Sequence, residues 1–171
     1  MERRYLIVVS GPIDGERFEH VLRECIDPSN RSFHVLVVTD QVKLEMSAWT
    51  EGAWVPARAR AAMDADWKEN VRRRAVKLYE AQCRAEHRLD LIVAKIRAAG
   101  GEAVGEVVAG KKPLEATAVV VSRLPHLNGI FVSSPPNALA RRLRMDLPER
   151  VARITGVAVS GLDSSGSGAR V

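Results

Sequence analysis

The chain has 171 residues, enough for one domain with a sizeable core. Its 46% apolar and 27% charged content is ordinary for a globular protein, and no run approaches the ~18 apolar residues of a membrane span. A net charge of +5 invites an anionic partner, but the arginines are interleaved with Glu and Asp, and 5% aromatic content gives no stacking surface for single-stranded nucleic acid.

Tyr5 to Val9 is a continuous apolar run, the mark of a central strand covered on both faces. Ser10-Gly11-Pro12-Ile13-Asp14-Gly15 follows as a turn, with Asp14 or Gly15 placed near a helix N-cap. The spacing of Phe18, Val21 and Leu22 predicts a helix over 16–25, closed by Asp27-Pro28-Ser29-Asn30. Phe33 to Thr39 is the second strand. From Asp40 to about Ala65 the pattern is irregular, with Trp49 and Trp54 available to anchor a packed loop, or else a lid or partner-binding arm.

Asp66 to Ala99 gives the clearest helical signal. Val71, Ala75, Leu78, Gln82, Ala85, Leu89, Ile92, Val93 and Ile96 share one face, charges fill the other, and Gly100-Gly101 caps the end. Ala103 to Ala109 is a third strand, with Gly105 as its weak point. Pro113 to Arg123 reads as a helix with Pro113 in its first turn, although the β-branched Val119-Val120-Val121 lowers its propensity.

Residues 129–159 form a βαβ unit. Ile130 to Val132 is a short strand, Pro135-Pro136 breaks the chain, and Asn137 is an N-cap. Leu139, Leu143, Leu147, Val151 and Ile154 make one apolar face, Gly156 ends the helix, and Val157 to Val159 starts the last strand. Alternating elements of this size imply an α/β domain, a three-layer open parallel sheet of five strands with helices on both faces. The domain spans 1–162. The Ser/Gly-rich tail, 163–171, is expected to be disordered.

This order of elements resembles the universal stress protein family over residues 4–161. The turn Val108-Ala-Gly-Lys-Lys-Pro-Leu-Glu-Ala116 is similar to the family's turn after its third strand. Leu139-Ala-Arg-Arg-Leu-Arg, Pro148-Glu-Arg-Val-Ala-Arg-Ile and Val157-Ala-Val are similar to its last helix and strand. The resemblance implies the adenine nucleotide alpha hydrolase-like architecture, with strand order 3-2-1-4-5. It also implies a homodimer through the last strand, Val157, Ala158 and Val159, whose exposed edge invites pairing. ATP-binding members carry Gly, two residues, Gly, nine residues, then Gly and Ser/Thr after the fourth strand. Laid on that spacing, this chain has Ser133, Pro136, Asp146 and Leu147. Pro136 has no N–H to offer, Asp146 brings negative charge and Leu147 lacks a hydroxyl. The family's acidic residue after the first strand is replaced by Ser10.

The Ser10 to Gly15 turn also resembles the Ser-Gly-Gly-x-Asp-Ser loop of the PP-loop ATP pyrophosphatases. Ser10, Gly11 and Asp14 match; Pro12 and Gly15 do not. If the family's strand order holds, strands 1 and 4 are neighbours at the topological switch point. Ser10, Gly11, Asp14, Thr39, Ser133, Ser134 and Asn137 then become the candidate ligand-binding residues. His20, His34, His87 and His126 have no partners at catalytic spacing, and Cys25 and Cys83 form neither a CxxC pair nor a metal set. The reading is a cytoplasmic, non-enzymatic sensing or interaction protein with no metal and no cofactor, its partner a second copy, an unidentified protein or a small ligand. A nucleotide-binding or nucleotide-hydrolysing protein with a non-standard pocket is the alternative.

Overall fold

The structure is a computed structural model and describes residues 3–25, 31–39, 57–124, 126–134 and 146–162, with 57–66 known by their backbone alone. Five strands alternate with helices: β1 Arg3–Val9, α1 Gly15–Cys25, β2 Arg31–Val38, α2 Ala57–Ala98, β3 Glu102–Val108, α3 Pro113–Arg123, β4 Leu127–Ser133, α4 Leu147–Thr155 and β5 Val159–Gly161. All pairings are parallel, in the order β3-β2-β1-β4-β5.

Alternation along the strands sends side chains into two cores, one on each face. Tyr5, Ile7, Val9, Phe33, Val35, Val37 and Phe131 meet Phe18, Val21 and Leu22 of α1 and Ala85, Ile92 and Ile96 of α2. On the other face Leu6, Val8, Leu36, Val38, Ile130 and Val132 meet Ala116 and Val120 of α3 and Val151 of α4. The first two crossover helices therefore cover one face and the last two the other. That switch of face opens a crevice beyond the C-terminal ends of β1 and β4.

Helix ends follow their local chemistry. At the end of α2, the Gly101 N–H donates to the Ile96 carbonyl and the Gly100 N–H to that of Arg97, with Gly100 at φ 91°. This is a Schellman ending, and it depends on a residue that accepts a left-handed conformation. At α4, Asp146 is the N-cap, its carboxylate accepting from the Glu149 N–H at 3.4 Å.

Four expectations change. The helix α2 begins at Ala57, so the irregular stretch ends about eight residues before Ala65. The last described helix begins at Leu147 behind its own cap, while Asn137, Leu139 and Leu143 lie outside the described residues. Ile154 is half exposed, so the apolar face narrows to Leu147 and Val151. The last strand is Val159–Gly161; Val157 packs against the α3/α4 core ahead of it. Gly105 is a requirement of packing: a Cβ there would stand 2.5 Å from Leu89 Cδ1 and 2.6 Å from the Val35 carbonyl oxygen. Glycine in β3 lets α2 lie down on the sheet.

The fifth change concerns the face of α2. Ala85, Ile92 and Ile96 are buried, and Leu89 and Val93 pack against the same core. Val71, Ala75 and Leu78 continue the stripe but are exposed. The helix has 42 residues, about 63 Å of rise, whereas an eight-residue strand spans only about 26 Å. From Trp67 to Glu80 every residue of α2 but Arg74 is exposed.

Candidate functional site

The crevice is built by β1 and β4 running side by side, Val9 paired with Ser133. The β1 strand ends where its apolar run gives way to Ser10-Gly11-Pro12, and β4 ends at Ser133. Three of the candidate residues meet here. The Ser10 N–H and hydroxyl both donate to the Ser133 carbonyl, at 2.9 and 3.0 Å. The Ser133 hydroxyl returns to the loop, donating to the Gly11 carbonyl at 3.0 Å and the Pro12 carbonyl at 2.6 Å. Ser133 is fully buried. A buried hydroxyl has one proton to give, and here the loop carbonyls take it.

Asp14 faces the helix instead of the crevice. Its Oδ1 accepts from the N–H groups of Glu16 at 3.0 Å and Arg17 at 3.3 Å, which makes it the N-cap of α1. A carboxylate there already occupies the positive end of the helix dipole, the place where a phosphate would otherwise bind. The Asp14 N–H donates to the Leu162 carbonyl at 3.3 Å, so the segment after β5 closes onto the same loop.

Thr39 stands apart from the crevice, one strand further out, where its N–H donates to the Val108 carbonyl at 3.1 Å beside the end of β3. Ser134 follows Ser133 and is half-buried. Asn137 and Pro136 lie outside the described residues. Asp146, placed by spacing where a phosphate loop would need a glycine, instead caps α4.

Two residues at this end escaped the sequence reading. Arg88, on α2, reaches the Gly11 carbonyl at 3.5 Å, and Leu162 is completely buried as it accepts from Asp14. No local pattern marks either one; both act across the fold. A shallow groove of about 460 Å³, lined by Glu19, Leu22, Arg23, Lys95, Ala98 and Ala99, lies in the helical layer between α1 and α2, not at the strand ends.

Elsewhere the titratable groups are paired without forming a reaction centre. His34 Nε2 lies 3.2 Å from Glu106, whose other oxygen is 3.7 Å from Arg123. Burial pushes the Cys25 thiol above its ordinary range, although nearby Arg31 opposes the shift, so its thiolate is suppressed. Among the described residues no three His, Cys, Asp or Glu side chains form a metal-binding group, and no helix is long and apolar enough to cross a membrane.

No protein-family model matches the sequence, and no curated protein matches it. Solved structures match over almost the whole chain. A universal stress protein from Archaeoglobus fulgidus is 12% identical, with a TM-score of 0.52, covering 95% of this chain and 96% of its own. A universal stress protein family protein from Arabidopsis thaliana with AMP bound is 12% identical, with a TM-score of 0.54, covering 93% and 90%. The hypothetical protein MJ0577, whose biochemical function was assigned from its structure, is 13% identical, with a TM-score of 0.56, covering 98% and 99%. At such identity the likeness is one of fold. The five parallel strands in the order 3-2-1-4-5 are those expected from the sequence.

Proposed function

We propose that this chain is a universal stress protein-like sensing or interaction domain. In this reading it is cytoplasmic, catalyses no reaction and does not hold ATP as the family's ATP-binding members do. One observation supports the reading: among the described residues, the Ser10 and Ser133 hydroxyls and the Asp14 carboxylate are spent within the chain. The Ser10 and Ser133 hydroxyls tie the two strand ends together, and Asp14 caps α1. Opening them to a ligand would leave buried carbonyls without donors, at a cost of about 1–3 kcal/mol each.

The partner in this reading is a second copy, paired through β5. That strand lies at the sheet edge. The Ile130 N–H donates to the Ala158 carbonyl and the Leu162 N–H to that of Val132, so the even-numbered residues face β4. Val159 and Gly161 turn their backbone groups to the open side, where another chain can pair.

A nucleotide-binding role with a non-standard pocket is the second reading, favoured by the Arabidopsis protein of the same fold that has AMP bound. Thermal unfolding with ATP, AMP and cyclic nucleotides, each with and without magnesium, separates the two. A ligand that binds the folded state raises the midpoint by mass action. The first reading expects no shift; a magnesium-dependent rise with ATP overturns it, and no rise with any nucleotide removes the second. Gly161→Pro, which deletes an outward N–H from β5, is expected to weaken a dimer made there. An unchanged mass in light scattering would exclude that edge.

A further inference from the structure

We propose that Arg97 holds the β3 edge of the sheet shut against the addition of another strand. The order β3-β2-β1-β4-β5 leaves two edges, and β3 is the longer, with seven residues against three in β5. It also shows more apolar surface. Among the described strands β3 carries the one exposed large apolar side chain, Val104, at 62%. A long edge with an exposed valine is the kind that invites pairing with a second copy of the chain.

The ladder to β2 fixes which backbone groups β3 offers. The Thr39 N–H donates to the Val108 carbonyl, and Val108 stands in register with Val38. Along a parallel strand the N–H and C=O of one residue point to the same side, and successive residues alternate. Glu102, Val104, Glu106 and Val108 therefore turn to β2. Ala103, Gly105 and Val107 turn their backbone groups to the open side.

The first of these outward carbonyls is taken. Arg97, in the last turn of α2, donates from Nη2 to the Ala103 carbonyl at 2.8 Å. A hydrogen bond from a charged donor is stronger than the neutral one an incoming strand would supply. The guanidinium also stands on the side where that strand would run, about 4.8 Å from β3. Pairing must displace it, or else forgo the Ala103 bond and bury a charge beside the new strand. The backbone of Arg97 is held separately, its carbonyl accepting from the Gly100 N–H at 3.0 Å, so the helix end does not depend on the side chain. A sheet open at both edges has no natural limit to its growth. With β3 shut, only β5 remains for pairing; that consequence rests on the proposed dimer, and the shut edge itself does not.

Sedimentation equilibrium tests the proposal on the full chain carrying Gly161→Pro, which takes β5 pairing out of the comparison. The readout is the gain over this parent, so it stands whether or not β5 pairs. Adding Arg97→Ala should strengthen association by about tenfold or more, the scale of one hydrogen bond to a charged group. Arg97→Lys, which keeps a cationic donor, should gain less. Val107→Pro deletes an outward N–H of the same edge, and Val104→Lys sets a charge on its exposed face without touching the backbone. Each should suppress the gain of Arg97→Ala and change nothing alone. An unchanged mass with Arg97→Ala overturns the proposal, whether or not the unfolding midpoint falls. A gain that neither suppressor removes overturns it too, because association then runs through another surface. A mass that falls with Val104→Lys alone would mean that the edge is already in use, and equal gains with Arg97→Lys and Arg97→Ala would remove the role of the cation.

Discussion

The two halves of α2 carry one pattern and have two fates. In the half that ends at Ala98, Ala85, Ile92 and Ile96 are buried against β2 and β3. In the half around Val71 and Leu78 the same stripe meets no sheet. Periodicity states that a helix has an apolar face; it does not state what covers that face. The length of the strands decides that, because a sheet of seven- and eight-residue strands supports only about five turns of helix.

Substitutions can break that contrast, and the largest effect is expected in the covered half. Ile96→Ala should cost about 2–5 kcal/mol in urea unfolding, since Ile96 is fully buried and leaves a cavity. Leu78→Ala, a deletion of similar size on the same stripe, should change the stability of the isolated chain by less than about 0.5 kcal/mol. Equal costs would mean that both halves are packed. Gly105→Ala probes the contact between α2 and the sheet from below: overpacking against Leu89 and Val35 should cost about 1–3 kcal/mol. No loss would show that the helix can lift without penalty.

The crevice supplies a smaller pair of tests at the other end of the covered layer. Ser133→Ala removes the donor to the Gly11 and Pro12 carbonyls and should cost about 1–3 kcal/mol. A neutral result would mean the hydroxyl is replaceable there, and the tie between β1 and β4 would lose its standing. Asp14→Ala should lower stability by about 1 kcal/mol through loss of the α1 cap. The smallest test leaves stability aside. Cys83 lies in the open part of α2 and is exposed, while the half-buried Cys25 thiol is held above its ordinary range. At pH 8 an alkylating reagent should therefore modify Cys83 well before Cys25, as mass spectrometry would show; the reverse order would mean that the open half is covered.

Much of the fold was legible because its determinants are local. Apolar runs mark β1 and β2, Phe18, Val21 and Leu22 mark the inner side of α1, and Gly100-Gly101 marks the end of α2. Even the helix α3, with its three consecutive valines, keeps its expected bounds, because Val120 is buried and packing outweighs propensity. The candidate site was legible only in part. Neighbouring strand ends could be inferred from the strand order, and the structure does bring Ser10, Gly11 and Ser133 together. What their hydroxyls do was not written locally, since donor and acceptor stand more than 120 residues apart. Asp14 was readable as a cap from its place one turn ahead of Phe18; the Arg88 contact to Gly11 was not readable at all.

The sequence by itself determined the alternation of strands and helices, both faces of the sheet and most helix ends, because periodicity, β-branching, glycine and proline act within a few residues. Only the tertiary structure decided which polar groups of the crevice are already satisfied, why Gly105 has to be glycine, and where the stripe of α2 loses its cover. Each of these depends on a distance between segments remote in the chain, and that distance is set when the two cores close on the sheet.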